Sequence, residues 1–394
     1  MWNSTRRGRT ITRRRKGAGR SNINFKLVLL ASLVLVVLVG TISGIIAISN
    51  AIEVNKAKNE YIPDGEIIES DASVDVFEEE DEGHEPVKEL KITALGEIMM
   101  GGKIGPNVEY NYMSAFRHIS EYTKAADYTM AHLATNIVDL QELGDTNSKY
   151  IVTTEIDNAF NALGIDWLNI ATDHILDFGK TMLNDTKKFL QEDYDLIGLN
   201  NSIIYVEKDG IKVAIIGVCN ETIGSEATYT SAGIMVYNLN KVKALIETAK
   251  ESASSVIVMA HLGNENSHTI TNGMKNTYKA IIKAGADVVL GSHSLGVYPI
   301  EMYKDKPIIY SLGYLMHDTS YENGKKGGIF NLTFNEQGNL KKIEIIPTYI
   351  NAKKQTILMH DYNATSTTTF LKTLAGDQKD CHITDNKLVM YMDK

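Results

Sequence analysis

The sequence predicts an α/β fold with largely buried sheets over residues 91–350. Short apolar runs rich in β-branched residues recur along this stretch, and amphipathic segments lie between many of them. Such alternation is typical of sheets covered by helices. A hydrophobic content of 43% supplies enough apolar material for a large core. The predicted strands are 91–95, 127–131, 167–171, 195–199, 211–218, 255–260, 286–291 and 307–312.

Amphipathic segments between these runs predict the helices, which are 154–163, 180–192, 240–251 and 274–284. In the first of them, Ile156, Phe160 and Leu163 recur at helical spacing. Further along, two alternating runs flank residues 336–338, which predicts a β-hairpin. The polar segment 351–394 gives no clear pattern, and we treat it as a C-terminal extension.

The first 48 residues predict a membrane anchor ahead of this domain. Residues 1–26 hold nine Lys and Arg and no acid, and residues 27–48 form an uncharged apolar run. As a helix, the run would be about 33 Å long, enough to cross the roughly 30 Å hydrocarbon core of a bilayer. The positive-inside rule then places the N-terminus in the cytoplasm and the main domain outside it, as a single-pass protein of the cell membrane.

A cleaved signal peptide is the alternative, but its apolar core usually has only about 7 to 15 residues. A basic tail that adjoins a span is explained by anionic lipid, so no nucleic-acid partner is predicted. Residues 64–85 carry eleven acids and no Lys or Arg, which favours an extended linker over 49–90 rather than a cation-binding tail. Cys219 and Cys381 are too few for a disulfide framework, and their pairing stays open.

Carboxylates and imidazoles follow several of the predicted strands. A lone histidine there is usually structural, but ligands gather beyond the carboxyl ends of strands in folds of this kind. We therefore expect these side chains to share one crevice. Carboxylate and imidazole suit Mn, Zn, Fe or Mg, and two such ions about 3.5 to 4 Å apart can activate water. The residues are Glu97, His132, Asp173, His174, His261, Glu265, His293, His317 and Asp318.

Other motifs exclude two classes of chemistry. The glycine-rich GEIMMGGKIG lacks the spacing and the Lys-Ser/Thr ending of a phosphate-binding loop, so no nucleotide cofactor is predicted. The sequence contains no G-x-S-x-G elbow, so a serine hydrolase has no support.

Several blocks resemble the CapA family of capsule and poly-γ-glutamate synthesis proteins, which is related to the calcineurin-like metallophosphoesterases. The resemblance covers about 91–350 and implies a layered sandwich, with helices flanking two packed sheets. The blocks are ALGEIMMGG (94–102), ADYTMAHLATNI (126–137), LGIDWLNIATDHILDFGKTMLNDT (163–186), HLGNE (261–265) and AGADVVLGSHSLGVYPIEMYKDKPIIYSLGYLMHD (284–318).

Family motifs and strand ends together give the candidate site. The candidate metal ligands are Glu97, His132, Asp173, His174, His261 and His293, and the candidate catalytic residues are His174, Asp177 and Glu265. The chain departs from the family pattern: Glu97 replaces Asp, and His132 and Ala134 replace Asn and Glu. Leu295 replaces a histidine and cannot coordinate a metal. These changes leave open a rearranged or a decayed site, and we favour decay of the two-metal chemistry.

The resemblance implies a membrane-anchored, extracytoplasmic accessory subunit in capsule or poly-γ-glutamate synthesis and export. Its partners would be the bilayer, the synthase and export subunits, and an anionic polymer held through bridging cations. Such cations are needed because removing the nine charges of residues 1–26 from the net −9 leaves −18 on the rest. The alternative is a metal-dependent phosphoesterase acting on a cell-envelope substrate. A third possibility is a surface binding domain with no role in polymer synthesis.

Overall fold

Two large β-sheets form the centre of the fold in the computed structural model. It describes residues 87–142, 148–220, 230–265, 267, 269–378 and 380–392. All of these belong to one compact unit, residues 81–394. No helix among them is long and apolar enough to cross a bilayer. The predicted basic tail and membrane span lie outside the described residues.

The strands and helices follow one another along the chain much as the alternating pattern predicts. The strands are β1 (Leu90–Ile98), β2 (Tyr128–Leu133), β3 (Asn136–Val138), β4 (Ile151–Thr153), β5 (Trp167–Asn169), β6 (Asp195–Ile197), β7 (Ile204–Lys208), β8 (Ile211–Cys219), β9 (Ser255–His261), β10 (Val288–Gly291), β11 (Glu301–Tyr303), β12 (Lys306–Ile309), β13 (Tyr314–Met316), β14 (Lys326–Phe334), β15 (Leu340–Ile350), β16 (Thr356–Leu358), β17 (Cys381–Thr384) and β18 (Lys387–Tyr391). The helices are α1 (Ile104–Asn107), α2 (Ser120–Thr123), α3 (Asp157–Leu163), α4 (Gly179–Leu190), α5 (Leu239–Ala249), α6 (Asn272–Lys283), α7 (Met359–Tyr362) and α8 (Ala364–Ala375).

The first sheet has the order β17-β18-β15-β14-β1-β2-β5-β6, with β13 beside β1 and β16 beside β15. The second has the order β11-β12-β10-β9-β8-β7. Strands β1, β2, β5 and β6 run parallel, as do β8, β9, β10 and β12. Each parallel group therefore presents its carboxyl ends at one edge of its sheet. Strand β3 pairs only with β4 in the described structure.

Apolar packing orders these elements into layers. Ile92 and Phe330 of the first sheet share one buried cluster with Ile215 and Ile257 of the second, so the sheets pack face to face. Helices α3 and α4 cover the outer face of the first sheet, and α5 and α6 cover that of the second. The predicted arrangement of helices flanking two packed sheets is confirmed.

The predicted hairpin is also confirmed, since β14 and β15 pair antiparallel around residues 335–339. The segment after residue 351, whose polar sequence shows no clear pattern, contains regular structure. Its last strand, β18, pairs with β15 and continues the first sheet. Helix α8 places Phe370 and Leu371 in the cluster between the sheets. The C-terminal extension is therefore packed into the same fold.

Gly96 marks a close backbone approach that brings the segment after β12 against the end of β1. A Cβ atom at Gly96 would lie 2.2 Å from the carbonyl oxygen of Gly313. The next residue, Glu97, donates its N–H to the same oxygen at 3.1 Å. Only a residue without a side chain fits there, and this contact fixes the backbone that carries Glu97.

Replacing Gly96 with alanine is expected to lower the free energy of unfolding by about 1–3 kcal/mol, because backbone must move to admit the methyl group. The control is Gly273→Ala in the first turn of α6, where an added Cβ finds only Thr271 Oγ1 at 3.8 Å. This change should be neutral or stabilising, since alanine is the better helix former. Urea unfolding of both variants measures the difference, and equal midpoints would contradict it.

Candidate active site and metal centre

The carboxyl ends of strands from both sheets converge on one buried crevice, as the strand-end pattern predicts. Glu97 lies near the end of β1 in the first sheet, and His261 ends β9 in the second. His293 follows β10 by two residues. Asp173 and His174 open a 3-10 turn after β5. The turn is held against β2, because Thr172 Oγ1 donates to the Leu133 carbonyl at 2.9 Å.

Asp173, His261 and His293 form the centre of this crevice. Asp173 Oδ1 lies 2.7 Å from His261 Nε2, and Asp173 Oδ2 lies 3.4 Å from His293 Nδ1. One possible ligand atom from each residue lies within 4.8 Å of the other two. All three side chains are buried. We call this group the triad; it joins a carboxylate delivered by the first sheet to two imidazoles of the second.

Glu97 lies behind His261, beside its other ring nitrogen. Its Oε2 is 3.6 Å from His261 Nδ1 and accepts a hydrogen bond of 2.8 Å from Ser292 Oγ. The carboxylate is almost completely buried. Glu97 therefore faces His261 Nδ1 at a distance longer than a hydrogen bond, on the side where carboxylates commonly support metal-binding histidines. It lies outside the triad, and its predicted role as a direct ligand stays a prediction.

His174 and Asp177 form a second pair at the edge of the crevice. Asp177 Oδ2 lies 2.8 Å from His174 Nδ1, while His174 Nε2 lies 3.3 Å from Asp173 Oδ2. The imidazole also stacks on the Tyr150 ring, with centroids 3.6 Å apart. His174 is thus held from three sides, with one ring nitrogen directed toward the triad.

His132 is completely buried beside His261. Its Nδ1 is 3.0 Å from Asn169 Nδ2 on the neighbouring strand, and its ring centroid is 6.1 Å from that of His261. Its Nε2 is buried and has no hydrogen-bond partner in the described part of the chain. The cross-strand pair with Asn169 keeps Nδ1 from the crevice, so His132 adjoins the triad without joining it.

Glu265 contacts Lys149 at the crevice. Lys149 is a residue that the sequence pattern does not indicate. The Lys149 ammonium is 3.5 Å from Glu265 Oε1 and 4.8 Å from the centre of the Tyr150 ring. Lys149 and Tyr150 precede the short strand β4, so no strand-end pattern marks them. Tyr314 is a further residue beside the site that carries no chemical motif; its backbone pairs with Glu97 in register.

Burial and mutual charge set the protonation of these groups. Burial raises the pKa of Glu97 and lowers that of His132 well below its usual value. Burial, together with the charge of His261, lowers the pKa of His293 to about 3. For Asp173, burial is outweighed by His261, His293 and His174, which hold the carboxyl pKa below its usual range. His293 and Asp173 are therefore deprotonated at neutral pH, the state in which they bind metals.

The triad fits a divalent metal ion. Two imidazoles and one carboxylate are a common donor set for Zn, Mn or Fe. His293 adopts φ 82°, a left-handed conformation that residues other than glycine rarely take, and such backbone strain is often found at functional sites. His261 Nδ1 and His174 Nε2 are buried and make no hydrogen bond to another described residue. These features match the predicted divalent metal.

The fold and site define a layered α/β protein with a buried carboxylate–histidine centre where the two sheets meet. The chain belongs to the bacterial capsule synthesis protein family PGA_cap, whose model matches residues 91–319. The predicted family is thereby confirmed. The matched range contains the triad and all the other predicted site residues.

Two curated relatives are similar over most of this range. One is the capsule biosynthesis protein CapA of Bacillus anthracis, 27% identical over 284 residues, or 68% of this chain and 69% of the relative. The other is the PGA biosynthesis protein CapA of Bacillus subtilis, 23% identical over 274 residues, or 66% and 72%. Among solved structures, a Staphylococcus aureus chain described as a 5′-nucleotidase superimposes with a TM-score of 0.44 and 16% identity. This superposition covers 64% of this chain and 52% of that one.

Proposed function

We propose that the protein is an accessory component of capsule or poly-γ-glutamate synthesis, held at the cell membrane with its main domain outside the cytoplasm. The family match over residues 91–319 carries the proposal, because it spans the whole candidate site. The names of the two Bacillus relatives support it. The uncharged run 27–48, preceded by nine basic residues, supports the anchor.

The proposed partners are the synthase and export subunits of the same machinery. Direct capture of a polyanion by the chain beyond the basic tail is opposed by the net −18 of residues 27–394. Contact with an anionic polymer would therefore need bridging cations or a subunit of opposite charge.

The proposed metal centre is the triad, which holds one ion of Mn, Zn, Fe or Mg. When bound, such an ion supplies a Lewis acid and lowers the pKa of coordinated water. Glu97, held by Ser292, faces His261 Nδ1, and Asp177 orients His174. The histidine that would complete the family pattern at position 295 is a leucine. We propose that the site is rearranged around one ion and that the two-metal chemistry is lost.

A metal-dependent phosphoesterase is the second candidate, favoured by the pair of His174 and Asp177. Burial lowers the pKa of His174, but the hydrogen bond to Asp177 and the charge of Asp173 raise it overall. In the protonated form, His174 donates from Nδ1 to Asp177 and carries its second proton on Nε2, the atom that faces Asp173. This arrangement suits a general acid that gives its proton to a leaving oxygen.

Deleting the gene tests the accessory role. The deletion strain should lose its surface polymer, and the wild-type gene should restore it. His293→Ala should fail to restore it, because the triad loses an imidazole, while His360→Ala, at an exposed position of helix α7, should restore it fully. Surface polymer is measured by extraction and glutamate analysis. Unchanged polymer in the deletion strain would refute the role and favour a binding domain.

Turnover tests the phosphoesterase. Purified full-length chain with Mn is assayed on bis(p-nitrophenyl) phosphate, using His174→Ala as the variant and His360→Ala as the control. Turnover that only His174→Ala abolishes supports the enzyme. Absence of turnover in the metal-loaded wild type refutes the phosphoesterase, and the accessory role is then the remaining proposal.

A further inference from the structure

Two buried polar atoms beside the metal centre have no hydrogen-bond partner among the described residues. They are the hydroxyl of Tyr314, which is 2% exposed, and Nδ1 of His317, which is 4% exposed. The two rings stack with centroids 4.4 Å apart. A buried polar atom that lacks a partner destabilises a fold, so such a pair calls for a partner of its own, either water or a ligand.

The loop after β1 brings the neighbours of Lys149 and His317 together, because Gly102 donates its N–H to the Ser148 carbonyl at 2.8 Å and Lys103 donates its N–H to Asp318 Oδ2 at 3.2 Å. Strand β13 pairs with β1 so that Tyr314 is opposite Glu97. Burial and the charges of Glu97 and Glu265 raise the pKa of Tyr314. Burial and the charge of Lys149 lower the pKa of His317 to about 3. The two unpaired atoms therefore belong to the segment that pairs with Glu97, and the Lys149 ammonium lies close enough for its charge to act on His317.

Lys149 contributes a positive charge that can turn toward a ligand. One third of its side chain is exposed, and its 3.5 Å contact with Glu265 is long for a charged pair. Burial lowers the pKa of Lys149, but Tyr150 and Glu265 raise it overall, so the ammonium stays charged. Burial raises the pKa of Tyr314, so the hydroxyl keeps its proton. Both groups are therefore hydrogen-bond donors at neutral pH.

We infer that Lys149, Tyr314 and His317 form an oxyanion subsite beside the triad. It takes the phosphate group of an ester or the carboxylate of a polymer unit, since both present oxygens to an ammonium and a hydroxyl. The subsite deepens the proposed function and rests on it, because an ion on the triad offsets the negative charge of Glu97, Asp173 and Glu265.

Titration of the full-length chain with inorganic phosphate and with glutarate tests the subsite. Calorimetry is run on Mn-loaded and on chelator-treated protein, and Mn content is measured separately. Tyr314→Phe should weaken binding about tenfold, the loss expected for one hydrogen bond to a charged group. Its Mn content should not change. Its Tm should stay equal or rise, because the lost hydroxyl had no partner within the described chain.

The matched control is Tyr278→Phe, at a fully buried tyrosine in the second sheet's helix layer. Its hydroxyl donates toward the carbonyls of Ala260 at 3.2 Å and Leu262 at 3.3 Å. This variant should have a lower Tm and an unchanged affinity for the anions, the reverse of what is expected for Tyr314→Phe. Lys149→Met is a second variant, at a partly exposed position, and should weaken anion binding by a similar factor.

The two probes separate the sources of the oxyanion. Tighter phosphate binding indicates an ester, and tighter glutarate binding indicates a carboxylate polymer; either, weakened by Tyr314→Phe, supports the subsite. The inference is overturned if Tyr314→Phe binds both anions as the wild type does in both metal states, or if the wild type binds neither. If the wild type retains no Mn after loading but still binds phosphate through Tyr314, the subsite is supported and only the proposed metal centre is refuted.

Discussion

Replacing Asp173 with alanine should abolish stoichiometric binding of a divalent metal ion. Asp173 is the carboxylate of the triad and approaches both imidazoles, at 2.7 Å from His261 Nε2 and 3.4 Å from His293 Nδ1. Changes to groups that only orient metal ligands commonly cost 10- to 100-fold in affinity, so losing a ligand should cost at least about 100-fold. Metal analysis after dialysis and calorimetric titration with Mn and Zn measure the loss.

Asp361→Ala is the matched control, because Asp361 is an exposed acid on helix α7 beside His360. It should bind metal as the wild type does. A chelator should lower the Tm of the wild type and of this control, since a ligand that binds only the folded state stabilises it. The chelator should leave the Tm of Asp173→Ala unchanged. One equivalent of metal retained by Asp173→Ala would remove the triad from consideration.

The layers of this fold could be predicted because buried strands and helices have recognisable apolar patterns in the sequence. Strands covered on both faces read as continuous apolar runs, as 211–218 and 255–260 do. Helix α8 was harder to predict, because its sequence ATSTTTFLKTLA is rich in threonine, which has a low helix propensity. Several of its threonines donate to the carbonyl four residues back, which satisfies their hydroxyls within the helix. Tertiary packing of Phe370 and Leu371 decides this element.

Strand-end positions located most of the site, because parallel strands bring their carboxyl ends to a common edge. Strand-end positions do not show which imidazole nitrogen contacts which carboxylate or amide atom. His132 sits opposite Asn169 in the β2–β5 register, and that neighbour takes its Nδ1. Lys149 and Tyr150 escaped prediction because they follow no strand and reach the site only through side-chain contacts with Glu265 and His174. Chain contacts of that kind leave no periodic signal.

The largest loss of stability among single core changes is expected for Phe330→Ala. Phe330 lies in β14, is fully buried and belongs to the cluster between the two sheets. Removing a buried phenyl ring leaves a cavity and should cost about 3–5 kcal/mol of unfolding free energy. The matched change is Phe178→Ala, at a ring that is 38% exposed, which should stay within about 0.5 kcal/mol of the wild type. Urea unfolding followed by fluorescence gives both values.

Phe330→Ala also tests how the metal centre depends on the packing of the sheets. Asp173 comes from the first sheet, and His261 and His293 come from the second, so their separation is fixed by the contact that Phe330 helps to form. Looser packing should weaken the metal affinity, although Phe330 belongs to the core between the sheets and is not part of the candidate site. Phe178→Ala should leave the affinity unchanged. Equal affinities in the two variants, with the stability difference present, would mean that the strand ends hold the triad without help from the core.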